Sequence, residues 1–490
     1  MIPVLQPIYN NLKGVLTTQD FEIIDSAFLF AEKKHKGQKR KSGEDYILHP
    51  LRVAIEISKL KLDLNSIVSA LLHDVLEDTD TTQEELKKLF GDDVRFLVES
   101  LSHLQQLKRK ANYKNKSINR LENLRNLILS SAKDVRVILI KIIDRLDNMK
   151  SLWSLVQDKQ VENAEETLEI FAPICRRLGF NFLGQQLEEM SFPYVYPKEF
   201  LEIKNRVANY YYEIEKLLMD ARDELEDFLN EHHIKFSEIQ FRKKSFFSIY
   251  KKYKKEGDFN KIYDIIALRV IVEDISDCYT TLGLVHQLWL PLPERMKDYI
   301  SLPKVNGYKA LHTTVLTNNN QIVEVQIVTK EMYHNNEYGI ASHWVYNLNK
   351  DTKAYTKRQD ISGTNILYRT LQNLDLQNID SKELFNIFVR DLLSEQIFVV
   401  TPAGEVIDLK KGSTPIDFAY KIHTDIGNHC KMAKVNKQVV PLSFCLNSGD
   451  VVEIMIDKRK MVNKGWLDMA KMAETKSRIK KALNPIDKKS

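Results

Sequence analysis

The 490-residue sequence has few of the residues that shape loops and cross-links, with 16 glycines, 13 prolines and 4 cysteines. Low glycine and proline exclude collagen-like and low-complexity chains. The cysteines form no CxxC pair, so the sequence favours a reducing compartment over a disulfide framework or a cysteine zinc site. No run approaches the roughly 18 apolar residues of a membrane span, and the first residues lack the pattern of a signal peptide. We therefore expect a cytoplasmic protein without a membrane segment.

The excess of positive over negative charge is small. The 72 Lys and Arg residues and 67 Asp and Glu residues give a net charge of +5, too small an excess to sustain tight nonspecific binding of nucleic acid. Apolar residues make up 43% and aromatic residues 9% of the sequence, which excludes wholesale disorder. A chain of this length exceeds one hydrophobic core, so we expect roughly two to four domains.

Three segments differ in their apolar patterns. Apolar residues at three- and four-residue spacing predict an all-α domain at 1–195. A long charged helical stretch followed by β-rich runs predicts an α/β domain at 196–346. Short strands separated by turn residues predict a small β domain at 395–458. Between the last two we expect a polar linker with a helical segment at 347–394, and at 459–490 a basic helical tail.

The run VSALLHDVLEDT at 68–79 sets two carboxylates behind a His-Asp pair on a predicted buried helix. Residues four apart share a helix face, so His73 would lie beside Glu77. Asp74 would likewise lie beside Asp78. A buried His-Asp pair is costly without a partner, and a divalent cation is the usual compensation.

Two further residues are candidates to complete a metal site. They are His49, and Asp144, a charge within an apolar helical run. Two His and two Asp ligands suit manganese, iron or zinc better than calcium. A single His-Asp pair is more often a core histidine or a helix-capping aspartate, but a His, a His-Asp pair and an Asp on three predicted helices favour a metal site.

The order His49, His73-Asp74, Asp144 resembles the HD phosphohydrolase superfamily. Glu77 and Asp78 resemble the ED pair of its RelA/SpoT branch, the hydrolases of guanosine tetra- and pentaphosphate (alarmones). The resemblance implies that these four ligands hold Mn²⁺. It also implies that Glu77 and Asp78 are catalytic and polarise or deprotonate a water held by the cation, which attacks the 3′-pyrophosphate.

Two neighbouring segments carry the same resemblance. RKSGEDYILHP resembles the family's RKSGEPYxxHP, and IIDRLDNMKSL resembles DRLHNMRTL. Asp147 stands where the family usually has His, and VESLSHL at 98–104 replaces DGVTKL. The hydrolase nucleotide-binding residues implied by this resemblance are Arg40, Lys41, Ser42, Gly43, Arg145 and Asn148.

A second candidate site begins at FRKKSFFSIYKKYKK, residues 241–255, where basic and aromatic residues alternate. This pattern suits a nucleic-acid patch, a solvated helix face or a clamp for a nucleoside triphosphate. Asp264 lies at the edge of a predicted apolar strand, and the alternation in QIVEVQIV puts Glu324 and Gln326 on one strand face. Two carboxylates from neighbouring strands suit magnesium, which favours the triphosphate clamp.

The intervening block ERMKDYISLPKVNGYKALHTTV resembles the signature RxKDYIxxPKxNxYxSLHTTV of the RelA/SpoT synthetase domain, a nucleotidyltransferase-like α/β domain. The resemblance implies Mg²⁺ on Asp264 and Glu324, with Glu324 also activating the acceptor 3′-hydroxyl. The implied ATP-binding residues are Arg242, Lys244, Ser248, Lys252, Arg269 and Arg295. The implied GDP/GTP-binding residues are Lys297, Lys304, Asn306, Tyr308, His312 and Gln326, with Tyr308 stacking on guanine.

The synthetase block also departs from the family pattern. Asp264 and Arg269 are an odd number of residues apart, so a single regular strand would put them on opposite faces. The sequence motif around Arg295 has the RxKD form typical of members that also hydrolyse. The remaining departures, which predict weakened synthesis, are Lys309-Ala310 for Gln-Ser, Val328 for Arg, Tyr333 for His and Asn336 for Ala.

Residues 399–454 resemble the TGS domain, a ubiquitin-like β-grasp fold, through GSTPIDFAY, HTDIG and GDVVEI. In ribosome-bound relatives this domain touches the 3′ end of tRNA, which implies a tRNA contact at His423. The alternative is an internal regulatory domain in which this His only packs. Long family members continue into a helical region, a zinc-binding or helical insert and an ACT domain, which we expect to be absent.

These resemblances together predict a multidomain, bifunctional alarmone enzyme of the stringent response. It would hydrolyse ppGpp or pppGpp to GDP or GTP and pyrophosphate, and synthesise them from ATP and GDP or GTP. One alternative is a hydrolase with a weakened synthetase, and the other is a tRNA- or ribosome-binding regulator. Because running both reactions wastes ATP, we expect the two sites to be coupled through helices around residues 180–240.

Overall fold

The structure, a computed structural model, describes residues 2–110, 134–339 and 396–483, except positions 263, 294, 305, 403, 448, 458, 460 and 461. The predicted linker at 347–394 lies outside the described residues. The chain divides into two compact units, Met1–Leu371 and Gln372–Ser490. None of the helices in the described ranges is both long and apolar enough to cross a membrane.

The first part of the first unit is helical, as predicted. Its central helix, α7, is buried on nearly every side, including its charged residues Lys141, Asp144 and Asp147. A π-helical turn, Thr167–Phe171, joins α8 to α9. The helices are α1 (Gln6–Leu12), α2 (Thr18–Lys34), α3 (Leu48–Lys59), α4 (Leu64–Leu72), α5 (Val75–Asp78), α6 (Gln83–Lys110, interrupted at Gly91), α7 (Val135–Lys150), α8 (Gln157–Glu166), α9 (Ala172–Arg177) and α10 (Asn181–Val195).

The prediction of one continuous helix over 68–79 is wrong. Helix α4 ends at Leu72, and the short helix α5 starts only at Val75. The Nδ1 atom of His73 lies 2.8 Å from the carbonyl oxygen of Ala70. In a continuous helix that carbonyl would accept a hydrogen bond from the amide of residue 74. The side chain thus competes with the backbone where the helix breaks.

The second part of the first unit packs helices against a mixed sheet. The strand order is β1-β2-β6-β5-β3, with β4 beside β5, and only β2 and β6 are parallel neighbours. The apolar core lies between this sheet and the helices, and includes the long helix α11. The elements are α11 (Pro197–Glu231), β1 (Phe236–Lys243), α12 (Phe246–Glu256), β2 (Ile266–Val272), α13 (Ile275–Leu288), β3 (Leu290–Pro291), β4 (Lys297–Asp298), β5 (Leu311–Leu316), β6 (Ile322–Thr329) and α14 (Lys330–Tyr338).

The second unit is a small β domain with helices packed on it. Strands β7 and β8 pair, β9 lies between β10 and β11, and a bridge joins Val400 to Val451. Trp466, Ala470 and Ile479, beyond the predicted domain end at 458, are buried against α15, so this part of the predicted tail belongs to the domain core. The elements are β7 (Gln396–Val400), β8 (Val406–Lys410), α15 (Pro415–Ile422), α16 (Thr424–Asn428), β9 (Cys430–Val435), β10 (Gln438–Val440), β11 (Val452–Ile456), α17 (Trp466–Met469) and α18 (Ala473–Leu483).

Candidate active sites

Four predicted metal ligands meet inside the helical part of the first unit. His49 lies in the first turn of α3, His73 and Asp74 at the break after α4, and Asp144 on α7. One ligand atom from each of His49, His73 and Asp74 lies within 4.8 Å of the others. Asp144 Oδ1 is 3.2 Å from His49 Nε2 and 3.9 Å from His73 Nε2. All four side chains are buried, and we call them the histidine–aspartate cluster.

Both imidazoles turn the same nitrogen into the cluster. His73 Nδ1 faces the carbonyl of Ala70, and His49 Nδ1 lies 2.8 Å from Asp147 Oδ2. Because both partners can only accept, each Nδ1 carries a hydrogen, and in the neutral ring each Nε2 then has a lone pair for a ligand. His73 Nε2 is buried and lies 3.3 Å from Asp74 Oδ2 and 3.9 Å from Asp144 Oδ1. These donor atoms fit a divalent transition metal, whose histidine ligands donate their other N–H outward.

The electrostatics of the cluster favour added positive charge. Burial alone would lower the pKa of His73, but Asp74 and then Asp144 raise it to about 9. Burial alone would raise the pKa of Asp74, but His73 holds it below its usual range. The pKa of Asp144 is lowered against the effect of burial, first by Lys141, whose Nζ lies 2.6 Å from Asp144 Oδ2. Without a metal, a proton on His73 supplies positive charge to the cluster. A divalent cation would supply that charge in its place.

Tyr46 is a site residue that the sequence analysis missed. Its hydroxyl lies 2.8 Å from Asp74 Oδ2 and 2.7 Å from Asp78 Oδ2, and its ring stacks on His35. Burial, followed by the charges of Asp74 and Asp78, raises the pKa of Tyr46 far above its usual value, so the phenol keeps its proton. Its position in the motif RKSGEDYILHP, one turn before His49, could have indicated that it lies near the metal ligands.

The predicted nucleotide-binding residues of this part divide into two groups. Arg40 donates to Asp147 at 3.1 Å and to Asn148 at 2.5 Å, and Asn148 donates to Asp144 at 2.6 Å. Arg40 thus begins a turn beside the histidine–aspartate cluster. The turn ends at Gly43, whose φ of 92° favours glycine, and it carries exposed Lys41 and the buried, unbonded Ser42 Oγ.

Arg145 has a different environment. Its guanidinium pairs with Glu166 at 2.6 Å, donates to Asn163 and lies over the ring of Phe171. These contacts join α7 to α8 and the π-helical turn. None of these three contacts is with another of the predicted nucleotide-binding residues.

Strand register in the mixed sheet gathers the predicted synthetase residues on one face. Arg242, Ala267, Glu324 and Thr314 pair across four strands, and so do Gln240, Arg269, Gln326 and His312, with Lys297 beyond. Paired residues point to the same side of a sheet. The opposite side carries Leu268, Val270, Val325 and Ile327 in the apolar core. We call the first side the polar face.

The parity argument about Asp264 and Arg269 does not apply. Strand β2 begins at Ile266, so Asp264 precedes it and is free of its alternation. Arg269 pairs with Gln326 and therefore shares the polar face with Glu324. Its guanidinium contacts Glu337 at 3.2 Å and lies over the ring of Tyr333.

Asp264 lies among the basic residues of the predicted ATP clamp. Its Oδ2 atom pairs with Lys244 and, at 2.7 Å, with Lys252. Its Oδ1 atom is buried and has no hydrogen-bond partner. Burial alone would raise the pKa of Asp264, but Lys244 lowers it, while burial lowers the pKa of Lys244 to about 8. Predicted Ser248 lies in the first turn of α12, where its amide and hydroxyl contact Ser245.

The predicted acceptor residues form a connected chain on the polar face. Tyr308 and His312 Nε2 are 2.8 Å apart, and His312 Nδ1 is 3.3 Å from Glu324. Burial lowers the pKa of His312, so a neutral ring accepts from Tyr308 and donates to Glu324. Burial alone would raise the pKa of Glu324, but His312 and then Gln326 lower it to about 2. Lys304 Nζ lies 4.8 Å from the centre of the Tyr308 ring.

The other predicted acceptor and donor residues have different environments. Gln326 is fully buried and donates to Glu324, while its Oε1 has no hydrogen-bond partner. Arg295 and Lys297 are exposed, Arg295 before β4 and Lys297 within it. Asn306 donates to the carbonyl of Arg176, from the helical part, at 3.2 Å.

The departures from the family's synthetase pattern lie close together. Val328 packs with Ala310, Ile271 and Met332, and Tyr333 borders this cluster. The amide of Asn336 pairs with both backbone groups of Lys309, at 3.0 and 2.7 Å. Val328 and Ala310 therefore form an apolar patch, beside the hydrogen-bonded side chain of Asn336, where the family pattern has Arg and Ser.

His423, the predicted tRNA contact, is exposed and caps a short helix. Its Nδ1 atom accepts a hydrogen bond from the amide of Asp425 at the start of α16. Gly427, the last residue of the same HTDIG motif, packs on the ring of Tyr420, and an added Cβ would lie 2.4 Å from that ring. This contact gives a packing reason for the glycine of HTDIG.

Comparison with known proteins matches each part to a family. The family models are the HD domain over residues 27–181, the region found in RelA / SpoT proteins over 241–351, and the TGS domain over 397–456. The guanosine-3′,5′-bis(diphosphate) 3′-pyrophosphohydrolase of Aquifex aeolicus is 42% identical, over 95% of this chain and 65% of its own. The enzyme of the same name from Vibrio cholerae is 38% identical, over 98% of this chain and 68% of its own.

A third relative carries both activities in its name. The bifunctional (p)ppGpp synthase/hydrolase SpoT of Escherichia coli is 39% identical, over 97% of this chain and 66% of its own. The chain spans between 58% and 68% of the length of the curated relatives it matches. With matches to all three domain models and to relatives along nearly its whole length, the chain belongs to the RelA/SpoT family.

Proposed function

We propose that the chain is a bifunctional alarmone enzyme that hydrolyses ppGpp and pppGpp and also synthesises them. Hydrolysis is assigned to 1–195 and synthesis to 196–346, with a TGS domain at 395–458. The observation that carries the proposal is the convergence of His49, His73, Asp74 and Asp144 in one buried cluster. The names of the relatives agree with both activities.

In the hydrolase site, the histidine–aspartate cluster would hold Mn²⁺, which supplies a Lewis acid and lowers the pKa of water. Glu77 and Asp78 would accept the proton of the attacking water, and the Tyr46 hydroxyl lies within hydrogen-bonding distance of both Asp78 and Asp74. Arg40 and Lys41 would balance the phosphate charge. The bond between the 3′ oxygen and phosphorus breaks, leaving GDP or GTP and pyrophosphate.

In the synthetase site, Asp264 and Glu324 would hold Mg²⁺, which neutralises charge on the ATP phosphates. Glu324 is a carboxylate at neutral pH and would take the proton of the 3′-hydroxyl. Arg242, Lys244 and Lys252 would clamp the triphosphate. The bond from the α-phosphate oxygen to the β-phosphorus breaks, so AMP leaves and the pyrophosphoryl group joins the 3′ oxygen.

Paired single-site variants test the two activities in the full chain. Asp74→Ala should abolish release of pyrophosphate from ppGpp with Mn²⁺, yet allow ppGpp to form from ATP, GDP and Mg²⁺. Glu324→Gln should do the reverse. Wild-type protein that turns over neither substrate set would refute the proposal.

A hydrolase with weakened synthesis is the second candidate function. It is favoured by the packing of Val328 against Ala310, which removes two polar side chains expected beside the acceptor. The rate of ppGpp formation by Asp74→Ala separates the candidates. Restoring the family residues in Val328→Arg with Ala310→Ser should raise that rate only if these changes weaken synthesis.

Two further assignments belong to the proposal. We place the protein in the cytoplasm, in agreement with four cysteines that form no disulfide. We also propose a tRNA or ribosome contact through the TGS domain, supported by the exposure of His423. A gel-shift titration of His423→Ala against wild type with deacylated tRNA tests this contact, and unchanged binding would count against it.

A further inference from the structure

Asp147 lies one turn beyond Asp144 on α7 and gathers three side chains around one buried carboxylate. His49 Nδ1 is 2.8 Å from Oδ2, and Arg52 reaches both oxygens at 2.8 and 3.0 Å. Arg40 adds a contact to Oδ2 at 3.1 Å. Asp147 is 2% exposed, so these contacts are made without competition from solvent.

The contact with His49 determines which ring nitrogen faces the cluster. A neutral imidazole carries one hydrogen, and a carboxylate accepts it only at the nitrogen it faces. With the hydrogen on Nδ1, the Nε2 lone pair lies 3.2 Å from Asp144 Oδ1 and 3.7 Å from Asp74 Oδ2. Without the carboxylate, the tautomer with hydrogen on Nε2 would compete and block that ligand position.

The charge of Asp147 is balanced outside the cluster. Arg52 also pairs with Glu44 through two contacts, at 2.9 and 2.7 Å. The two carboxylates of Asp147 and Glu44 thus match the two guanidinium groups of Arg52 and Arg40. The group adds no net charge to the metal site, and its effect on the metal is therefore one of orientation.

We propose that Asp147 is a positioning residue that holds His49 for metal binding and ties Arg40 to the helix that carries Asp144. This inference rests on the metal centre of the proposed function. A histidine, which the family usually has at this position, offers at most one acceptor nitrogen and could not accept from His49 and two guanidinium groups together. The layer behind the ligands is therefore built differently in this chain.

The test is Mn²⁺ binding to the metal-free full chain, followed by calorimetry and by loss of the free-ion electron paramagnetic resonance signal. His73→Ala defines the site, because the tight binding class should disappear. Asp147→Asn should weaken that class by about 10- to 100-fold, the usual cost of losing such a partner. In Co²⁺-loaded protein, the visible absorption should also change with the geometry around His49.

Asp63→Asn is the matched control. Asp63 is likewise paired with a buried arginine of the same part, Arg136, at 2.6 Å. Its substitution should leave Mn²⁺ affinity and Co²⁺ absorption as in wild type. Asp147→Glu keeps the charge but moves the oxygens, and should recover part of the affinity. It also serves as the test variant if circular dichroism shows Asp147→Asn to be unfolded.

The outcomes separate the two levels of the argument. The metal centre itself would be refuted if wild-type protein showed no tight Mn²⁺ binding, or if His73→Ala left that tight binding unchanged. A normal His73→Ala result, with Asp147→Asn binding Mn²⁺ as tightly as Asp63→Asn does, would overturn the role of Asp147. Equal losses in Asp147→Asn and Asp63→Asn would overturn it too, since they would show a general effect of losing an ion pair.

Discussion

Tyr46 joins a proposed metal ligand, Asp74, to a proposed proton acceptor, Asp78. Its single hydroxyl proton lies between Asp74 and Asp78, so it fixes the distance between a ligand and a candidate base. Hydrogen bonds to charged groups contribute about 1.5–3 kcal/mol. The position of Asp78 in catalysis therefore depends on a side chain that binds neither metal nor nucleotide in the proposed mechanism.

The substitution Tyr46→Phe removes only this hydroxyl. We expect kcat for ppGpp hydrolysis to fall about 10-fold or more, because Asp78 loses this hydrogen bond while the ring can still stack on His35. Tyr9→Phe is a matched control, since Tyr9 also bonds to a carboxylate, Asp25. Equal hydrolysis rates in the two variants would contradict the role given to Tyr46.

We expect Lys244 to give the proposed synthetase site a dependence on pH. Burial lowers its pKa to about 8, and a lysine is charged only below its pKa. As the pH rises through about 8, Lys244 loses its charge and Asp264 loses that ion-pair partner. We expect kcat/KM for ATP to fall on this alkaline side.

The arginine variant Lys244→Arg should keep its charge and move the alkaline fall to higher pH. Lys243→Arg, at the exposed neighbouring position, should keep the wild-type profile. The measurement is the rate of AMP release across about pH 7 to 9. A fall at the same pH in all three proteins would assign it to another group.

At the scale of elements, the sequence predicted the fold class and the strands well because their signals are local. The alternation in QIVEVQIV placed Glu324 and Gln326 on one face of β6, and the register of its neighbours then aligned Arg269 with them. The break after Leu72 was not predictable in the same way. It depends on a side-chain hydrogen bond from His73 that replaces a backbone one.

The same reasoning explains which site residues the sequence could find. The four cluster ligands follow a known order, whereas Asp147 became interpretable only when His49 and Arg52, distant in sequence, were seen to meet it. Arg145 stands within a family motif, yet it pairs with Glu166. Tertiary contacts of this kind leave no local sequence pattern. Resemblance alone therefore could not show that Arg40 lies beside the cluster while Arg145 pairs with Glu166.

In the second unit, Gly427 is required by the close packing of the short helix α16 on α15. An added Cβ would lie 2.4 Å from the ring of buried Tyr420. We expect Gly427→Ala to destabilise the unit by about 1–3 kcal/mol through overpacking. Hydrogen exchange of residues 396–483 should therefore become faster.

Gly283→Ala is the contrasting variant. Gly283 lies within α13, and a Cβ there meets nothing within 4 Å. Alanine in place of a helical glycine stabilises by about 0.5–1 kcal/mol. Unchanged exchange in 396–483 for Gly427→Ala would show that Tyr420 moves aside without cost.

At the scale of the whole first unit, the helical part touches the predicted acceptor site directly. Asn306, a predicted GDP-binding residue, donates to the carbonyl of Arg176 and to the side chain of Asn181. Asn181 in turn donates to the carbonyl of Asn336. Gly179 and Gly339 meet so closely that a Cβ on Gly339 would lie 2.5 Å from the backbone of Gly179. A shift of the helical part would therefore move the acceptor loop.

This junction is the contact through which we expect the two active sites to influence each other. In a Glu77→Gln background, where ppGpp should bind the hydrolase site without turnover, added ppGpp should lower the rate of synthesis. A coupling of about 1–3 kcal/mol corresponds to about a 5- to 150-fold effect. Asn181→Ala removes hydrogen bonds worth about 0.5–1.5 kcal/mol each and should reduce that response by about 2- to 10-fold.

The control for the junction is Asn65→Ala, which removes an exposed hydrogen bond to Asp93 elsewhere in the helical part. It should respond to ppGpp as the Glu77→Gln background does. Because ppGpp also inhibits as a product at the synthetase site, the comparison between the two alanine variants isolates the part carried by the junction. If both variants respond to the same degree, the contact of Asn181 with Asn306 holds the two parts together without coupling their activities.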